Sequence, residues 1–135
     1  MLVSDIMSTN IVSAAPGCTA AEASRLLHVH NIGALPVVDP SGNLRGIVTD
    51  RDIVTRCVAS DGDPLTTPLR ELMTRRLVTA APDDDLRDAA SVMASRQIRR
   101  LPVVEHGQLV GMLSLADLAA SDMGGRALGA VSRPE

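Results

Sequence analysis

The sequence has 135 residues, which is enough for one globular unit and too short for two large enzyme domains. Hydrophobic residues make up 45 %, charged residues 21 %, the mean hydropathy is +0.15 and the formal net charge is −3, a balance that excludes a disordered chain and disfavours binding to a phosphate backbone. Phe, Tyr and Trp are absent, so no aromatic platform can stack the bases of single-stranded nucleic acid.

Targeting and redox features are few. The sequence contains no apolar run of about 18 residues that could span a membrane, and its N-terminus lacks the basic start and apolar run of a secretory signal. Its two cysteines, Cys18 and Cys57, are too few for a disulfide framework. We therefore expect a cytoplasmic protein without membrane or nucleic-acid partners.

The chain consists of two copies of one unit. Residues 5–40 align without a gap with residues 71–106, and the second copy then lacks one residue in a turn. Both copies contain the run Leu-Pro-Val-Val, at 35–38 and at 101–104. The predicted segments are a first repeat over 1–59, a linker over 60–66, a second repeat over 67–120 and a flexible tail over 121–135.

The first copy predicts a strand, a helix, a hairpin and a second helix. The apolar pair at 11–12 stops shortly before Pro16, which is typical of a brief strand. Thr19 and Glu22 have the spacing of a capping box that opens a helix over 20–31. The remaining predicted elements are strands over 35–39 and 44–48 around a turn over 40–43, then a helix over 51–59.

The second copy repeats this order. A brief strand is expected at 77–78, Asp85 is the expected N-cap of the following helix, and the last helix covers 116–120. Ahead of this copy, Thr67 and Pro68 predict a cap and a first-turn proline of a further helix.

Each hairpin leads into the same signature. The sequences GIVTDRD at 46–52 and GMLSLAD at 111–117 both fit Gly-x-x-Thr/Ser-x-x-Asp, and they lie at matching distances from the two Leu-Pro-Val-Val runs. Over about residues 3–120 the chain thereby resembles the cystathionine beta-synthase (CBS) domain in its tandem form, the Bateman module. The short two-copy layout is also similar to small stand-alone bacterial stress-response proteins of this family.

The resemblance implies an α/β (α+β) fold. Each repeat would be a small three-stranded sheet packed with two helices, and the two repeats would be related by a pseudo-twofold axis. It further implies two clefts between the repeats that receive an adenosine-containing ligand, which in the family is AMP, ADP, ATP or S-adenosylmethionine. The nucleotide would be a regulatory ligand, and no cofactor is required.

The signatures are implied to bind ribose. Carried over from the family, Asp52 and Asp117 accept hydrogen bonds from ribose hydroxyls, and Thr49 and Ser114 contact ribose or phosphate. The chemistry suits these residue types, because a carboxylate accepts from two vicinal hydroxyls and a helix N-terminus favours phosphate. The same spacing is that of an ordinary helix cap, and the two roles can coexist.

Positive charge for phosphates is unevenly distributed. Arg99 and Arg100 precede the second Leu-Pro-Val-Val run, where family members often place basic residues facing phosphates, and the first copy has a Gly-Ala pair instead. Arg51 compensates in part in the first copy. We expect the cleft with Asp117 to prefer more phosphate; the alternative for any single arginine is an ordinary surface side chain.

The adenine ring is expected to lie against side chains at the start of each first strand. These are Thr9, Ile11, Val12, Leu77 and Val78. Without an aromatic residue, the base gains only aliphatic packing and backbone hydrogen bonds, which predicts micromolar rather than nanomolar affinity. Plain core packing is the alternative for these apolar residues.

No metal or catalytic constellation is predicted. His28 and His30 are two positions apart on a helix and cannot grip one ion, and the acidic run at 83–85 suits a helix N-terminus. Cys18 and Cys57 allow a redox switch, although two buried small residues explain them more simply. No nucleophile with its base, P-loop or catalytic carboxylate pair is present.

These observations favour a non-enzymatic regulatory or energy-sensing module that binds an adenosine nucleotide and acts on an unknown downstream protein. A homodimer formed through helices is expected. The alternative is a ligand-free structural or redox-responsive stress protein that acts through dimerisation or partner binding.

Overall fold

The structure, a computed structural model, describes residues 1–121 and divides the chain into two compact units. Unit A is Val12–Leu77, and unit B combines Met1–Ile11 with the chain from Val78 onward. Each unit therefore contains the hairpin of one sequence repeat and the leading segment of the other repeat. The predicted flexible tail lies outside the described residues, except for Ser121.

The helices and strands confirm the predicted mixed fold with one hairpin in each repeat. In chain order they are α1 (Val3–Ile6), α2 (Ala20–His30), β1 (Ala34–Val38), β2 (Leu44–Thr49), α3 (Asp50–Asp52), a π-helix (Ile53–Val58), a 3₁₀ helix (Leu69–Glu71), α4 (Leu86–Arg96), β3 (Arg100–Glu105), β4 (Gln108–Ser114) and α5 (Leu115–Ala119). Within residues 1–121, every helix is too short or too polar to cross a bilayer.

The hairpins pack one core in each unit. β1 pairs antiparallel with β2 and β3 with β4, and both hairpins carry a bulge at the same place in the Val-Val pair. The helices cover the strands with aliphatic side chains, because no aromatic residue is available. The fully buried side chains of the two cores come from strands and helices alike, and they include Leu35, Val37, Val48 and Leu69 in unit A, and Leu86, Met93, Leu101, Val103 and Leu113 in unit B.

The sheets are narrower than the predicted three strands. At 11–12 and 77–78 there is no strand; instead Ala14 bridges Val37 and Ala80 bridges Val103, each as a single parallel bridge. The Ala14 N–H donates to the Pro36 carbonyl (3.0 Å), but Pro36 has no N–H to continue that ladder toward residue 12. Pro102 limits the strand of unit B in the same way.

Both long helices begin where the sequence predicts. The Thr19 hydroxyl accepts the Glu22 N–H (3.2 Å) ahead of α2, and the Asp85 carboxylate accepts the Arg87 N–H (2.8 Å) ahead of α4. α2 ends at Asn31 in the left-handed conformation (φ 52°). The predicted helix over 20–31 and the predicted N-cap Asp85 are thus confirmed.

Two other local predictions differ from the structure. The expected helix over 51–59 starts as α3 and continues as the π-helix, in which the Ala59 N–H donates to the Val54 carbonyl (2.8 Å). Thr67 does not cap a helix: its hydroxyl donates to the Asp63 carbonyl (2.7 Å), and only the 3₁₀ turn follows Pro68.

A methionine of each leading segment packs on a strand glycine. Met73 lies over Gly46 in unit A and Met7 over Gly111 in unit B, so closely that a Cβ on either glycine would stand 2.7 Å and 2.5 Å from the respective sulfur atoms. The residue after each methionine then pairs with the strand, since Thr74 bridges Ile47 and Ser8 bridges Met112. Each leading segment is thereby fixed along the edge of the hairpin.

Candidate functional site

The signature of unit A forms a capping box at the junction of β2 and α3. The Asp52 N–H donates to the Thr49 hydroxyl (3.0 Å), and the Thr49 N–H donates to Oδ2 of Asp52 (2.9 Å). Strand pairing sets Thr49 opposite Ala34, and the Asp50 N–H donates to the Gly33 carbonyl (3.2 Å). The box therefore lies beside the start of β1.

Unit B repeats the box at the junction of β4 and α5. The Ser114 N–H donates to Oδ2 of Asp117 (2.8 Å), and the Asp117 N–H donates to the Ser114 hydroxyl (3.2 Å). The hydroxyl also donates to Oδ2 of Asp117 (3.0 Å). The capping role that the spacing allows is thus present in both units, and in neither box is Oδ1 of the aspartate used.

The strand pairing brings the predicted arginines of unit B to its box. Arg100 is paired with Ser114, and the Arg99 carbonyl accepts the Leu115 N–H (3.1 Å). Both arginine side chains are exposed. Gly33 and Ala34 occupy the corresponding places in unit A, so the strand side of the box has two cationic side chains in unit B and none in unit A.

Unit A has cationic side chains on the helix side of its box. The side chain of Arg51, in the first turn of α3, is exposed. The backbone N–H of Arg51 donates to the Asp50 carboxylate (2.8 Å). Arg56, which the sequence analysis did not consider, places Nε 3.8 Å from Oδ1 of Asp52 and donates from Nη1 to the Leu72 carbonyl (3.0 Å). The i,i+4 spacing of Asp52 and Arg56 was the available signal.

The candidate adenine contacts belong to different units. Thr9 (exposed) and Ile11 (half-buried) lie in unit B, whereas Val12 and Leu77 (both half-buried) lie in unit A. Val78, also half-buried, belongs to unit B. Val12 and Val78 pack partly against the cores of their units, in line with the alternative that they are core residues.

The cysteines show no sign of activation. Cys18 is half-buried, and burial, followed by the charge of Glu22, raises the pKa of its thiol. Both effects oppose the thiolate, so the helix N-terminus does not make Cys18 reactive. Cys57 is free and only 1 % exposed. The geometry gives no support to a redox switch built on these thiols.

The remaining polar side chains that the sequence suggested as sites either have structural roles or are exposed to solvent. Asp84 accepts the Ala81 N–H (2.8 Å) and Asp85 caps α4, so the acidic run serves a turn and a helix N-terminus. His28 and His30 are exposed. Within residues 1–121 no group of three or more His, Cys, Asp or Glu side chains is placed to hold a metal ion.

Chemically, the boxes can bind hydroxyl groups. Each aspartate keeps Oδ2 in the cap and has Oδ1 as a further acceptor, in a side chain that is partly accessible. A vicinal diol offers two donors to such a carboxylate. Arginines stand close to both boxes, so an anionic group attached to the diol would find a positive partner.

Comparisons with known proteins match both repeats of the chain. The family model described as "CBS domain" matches the chain twice, over 3–59 and 69–124. The CBS domain-containing protein YhcV of Bacillus subtilis is 43 % identical over 127 residues, covering 94 % of this chain and 89 % of that protein. Hypoxic response protein 1 of Mycobacterium tuberculosis is 33 % identical over 115 residues, covering 85 % of this chain and 80 % of that protein.

Solved structures extend the likeness to the fold. A crystal structure of Hypoxic Response Protein I with two coordinated zinc ions has a TM-score of 0.81 at 32 % identity and covers 89 % of this chain and 98 % of its own. The CBS domain pair of protein MJ0100, in complex with 5'-methylthioadenosine and S-adenosyl-L-methionine, has a TM-score of 0.78 at 33 % identity and covers 93 % and 98 %. The chain therefore belongs to the CBS domain family, as a tandem CBS pair, the regulatory module of that family.

Proposed function

We propose that the protein is a non-catalytic sensor that binds adenosine-containing ligands, with the ribose hydroxyls on Asp52 and Asp117. The observation that carries this proposal is the recurrence of one box at one strand junction in both units, each with Oδ1 of the aspartate outside the cap. Support also comes from the related MJ0100 pair, which holds two adenosine-containing ligands.

Phosphate groups are assigned to the arginines beside each box. Arg99 and Arg100 flank the box of unit B at the start of β3, where Ser114 also offers its hydroxyl. In unit A, Thr49 and Arg51 are the corresponding candidates. Since the strand side of unit B has two cationic side chains and that of unit A has none, a triphosphate is expected to favour the box with Asp117.

The adenine contacts are assigned to aliphatic side chains. The candidates are Thr9, Ile11, Val12, Leu77 and Val78, of which all but Thr9 are half-buried. Aliphatic packing without aromatic stacking contributes only modestly to the binding free energy of the adenine ring, so micromolar affinity is expected. Such an affinity suits a sensor of an abundant metabolite such as AMP, ATP or S-adenosylmethionine.

The signal is proposed to pass to another protein in the cytoplasm. Val29, Val54 and Val58, all in unit A, are 73 %, 57 % and 54 % exposed, and they provide apolar surface for the expected homodimer or for a downstream partner. A ligand shifts such an assembly only by the difference between its affinities for the two states.

Calorimetric titration of the full chain with adenosine, AMP, ATP and S-adenosylmethionine tests the proposal. Asp52→Asn and Asp117→Asn keep an oxygen that can accept the cap hydrogen bond but remove the charge that binds the diol. We expect each variant to lose about 10- to 100-fold in affinity at its own box, the effect of one charged hydrogen-bonding group.

The control is Asp39→Asn, which removes the same charge from the hairpin turn of unit A and leaves both boxes intact. It should bind as the wild type does. The proposal is wrong if millimolar ligand gives no heat with the wild type, or if all three variants lose affinity equally.

A further inference from the structure

Arg56 links the carboxylate of unit A to the segment that leads into the second repeat. Its Nε lies 3.8 Å from Oδ1 of Asp52, and its Nη1 donates to the Leu72 carbonyl at 3.0 Å. The Asp52 side chain is 15 % exposed and that of Arg56 is 49 % exposed, so the pair is only partly screened by water. The guanidinium therefore faces the one oxygen of Asp52 that the capping box does not use.

Two anchors make this placement specific. The i,i+4 spacing sets Arg56 on the same helical face as Asp52. The Leu72 carbonyl then fixes the orientation of the planar guanidinium, whose several N–H groups can serve two acceptors at once. A side chain held in this way occupies the approach to Oδ1 more persistently than an unanchored surface arginine.

Among the residues that the structure describes, unit B has no counterpart of Arg56. The position four residues after Asp117 is Ser121, whose hydroxyl donates to the Leu118 carbonyl (2.7 Å). Within the described residues Asp117 takes part in no ion pair, and its contacts are those of the capping box. The two carboxylates therefore have the same cap but differ in the neighbour of Oδ1.

We infer that Arg56 competes with a ribose diol for Oδ1 of Asp52. As a result, the box of unit A has the lower affinity of the two boxes for the uncharged nucleoside. The inference rests on the proposed function and adds to it which box fills first. Among the described residues no guanidinium is paired with Oδ1 of Asp117, whereas at Asp52 hydroxyl donors must displace one. A partly exposed ion pair of this kind corresponds to an affinity change of about two- to fivefold.

The test isolates the box of unit A with Asp117→Asn and adds Arg56→Met, which removes the charge and keeps an unbranched side chain. Adenosine is the probe, because it has the diol and no phosphate. Calorimetry should show adenosine binding about two- to fivefold tighter to the double variant than to Asp117→Asn alone. Arg45→Met in the same background is the matched control, since it breaks the Arg45–Asp39 pair (2.7 Å) in the same unit and should change nothing.

A second ligand separates competition at the diol from a change in packing. 2',3'-Dideoxyadenosine lacks both hydroxyls, so Arg56→Met should leave its affinity unchanged. A gain that is equal for both nucleosides would show that Arg56 acts through packing and would overturn the inference. Arg56→Gln, checked for folding by circular dichroism, should behave as Arg56→Met does.

The inference and the proposed function can fail separately. If the wild type binds none of adenosine, AMP, ATP and S-adenosylmethionine, both are wrong. If it binds the charged ligands but not adenosine, only the inference is wrong. If the wild type binds and Asp52→Asn weakens binding, but Arg56→Met and Arg56→Gln do not tighten it, only the role of Arg56 is wrong. If neither Asp117→Asn nor its Arg56→Met derivative binds adenosine at all, the role of Arg56 and the ribose site proposed at Asp52 are both wrong, whereas the site at Asp117 still stands.

Discussion

Units A and B share one backbone frame but place their positive charges on different sides of the signature carboxylate. In unit B, Arg99 and Arg100 stand on the strand side of the box. In unit A that side carries Gly33 and Ala34, and the cation nearest the carboxylate is Arg56 on the helix side. Two repeats can therefore keep the same pair of backbone hydrogen bonds in a cap while the charges around that cap differ.

In each unit the leading segment packs closely against a strand glycine, and the two units differ in this contact as well. A Cβ at position 46 would lie 2.8 Å from the Thr74 carbonyl oxygen in addition to the Met73 side chain. At position 111 it would lie 2.5 Å from the Met7 sulfur but 3.2 Å from the Ser8 carbonyl oxygen. A methionine side chain can move aside more easily than a paired backbone.

The largest expected effect follows from this contrast. Gly46→Ala should lower the free energy of unfolding by about 1–3 kcal/mol, the usual cost of forcing an extra group into a packed site. Gly111→Ala should cost less, because Met7 is half-buried and can swing toward solvent. Urea unfolding followed by circular dichroism measures both changes.

Gly33→Ala is the control, since nothing lies within 4 Å of its added Cβ. It should leave stability unchanged or raise it slightly by restricting the unfolded chain. Equal losses at positions 46 and 111 would show that the backbone contact with Thr74 does not distinguish the units.

Local signals in the sequence were sufficient for the two long helices, the hairpins and most of the caps. Thr19 and Asp85 cap helices because short polar side chains there satisfy free N–H groups, and this depends only on near neighbours. The same holds for the signature residues, whose spacing predicted the capping geometry that both boxes show.

The remaining features depend on contacts between distant parts of the chain. Pro36 shortens the parallel strand only because its missing N–H faces the segment that holds Ala14, and that pairing is remote in sequence. The exchange of leading segments between the units rests on contacts such as Met73 on Gly46, which no periodicity encodes. Arg56 had a local signal in its spacing from Asp52, but only the structure shows its second anchor at Leu72.

The caps themselves offer a smaller test of how alike the two boxes are. The Ser114 hydroxyl both accepts from the Asp117 N–H and donates to its carboxylate, whereas the Thr49 hydroxyl accepts from the Asp52 N–H. Ser114→Ala should therefore lower the free energy of unfolding by about 1 kcal/mol or slightly more, and Thr49→Ala should lower it by about 1 kcal/mol. Thermal unfolding of both variants measures the difference.

Thr49→Ser serves as control for the lost methyl group, because it keeps the hydroxyl that accepts in the box. It should retain most of the stability that Thr49→Ala loses. If neither alanine variant is destabilised, the boxes do not support their helices, and the aspartates are held by other contacts.

The smallest expected effect concerns the hairpin turns, which the two units also close differently. In unit B the turn rests on backbone at positive φ, at His106 (52°) and Gly107 (82°). In unit A the carboxylate of Asp39 accepts the backbone N–H of Asn43 (3.0 Å) and pairs with Arg45 (2.7 Å). The Asn43 N–H, with Arg45 adding to it, lowers the pKa of Asp39 from its ordinary value of 3.8.

Because the folded state lowers this pKa, the unfolded chain binds more protons in the acid range, and stability must rise with pH there. The contribution of Asp39 is fully present above its ordinary pKa of 3.8 and is lost as the pH falls through the lower, folded value. Asp39→Asn should therefore be less stable than the wild type at about pH 7, and the gap should narrow toward about pH 3. Urea midpoints at both pH values measure the gap; a gap that stays constant would mean that the charge of Asp39 does not stabilise the turn of unit A.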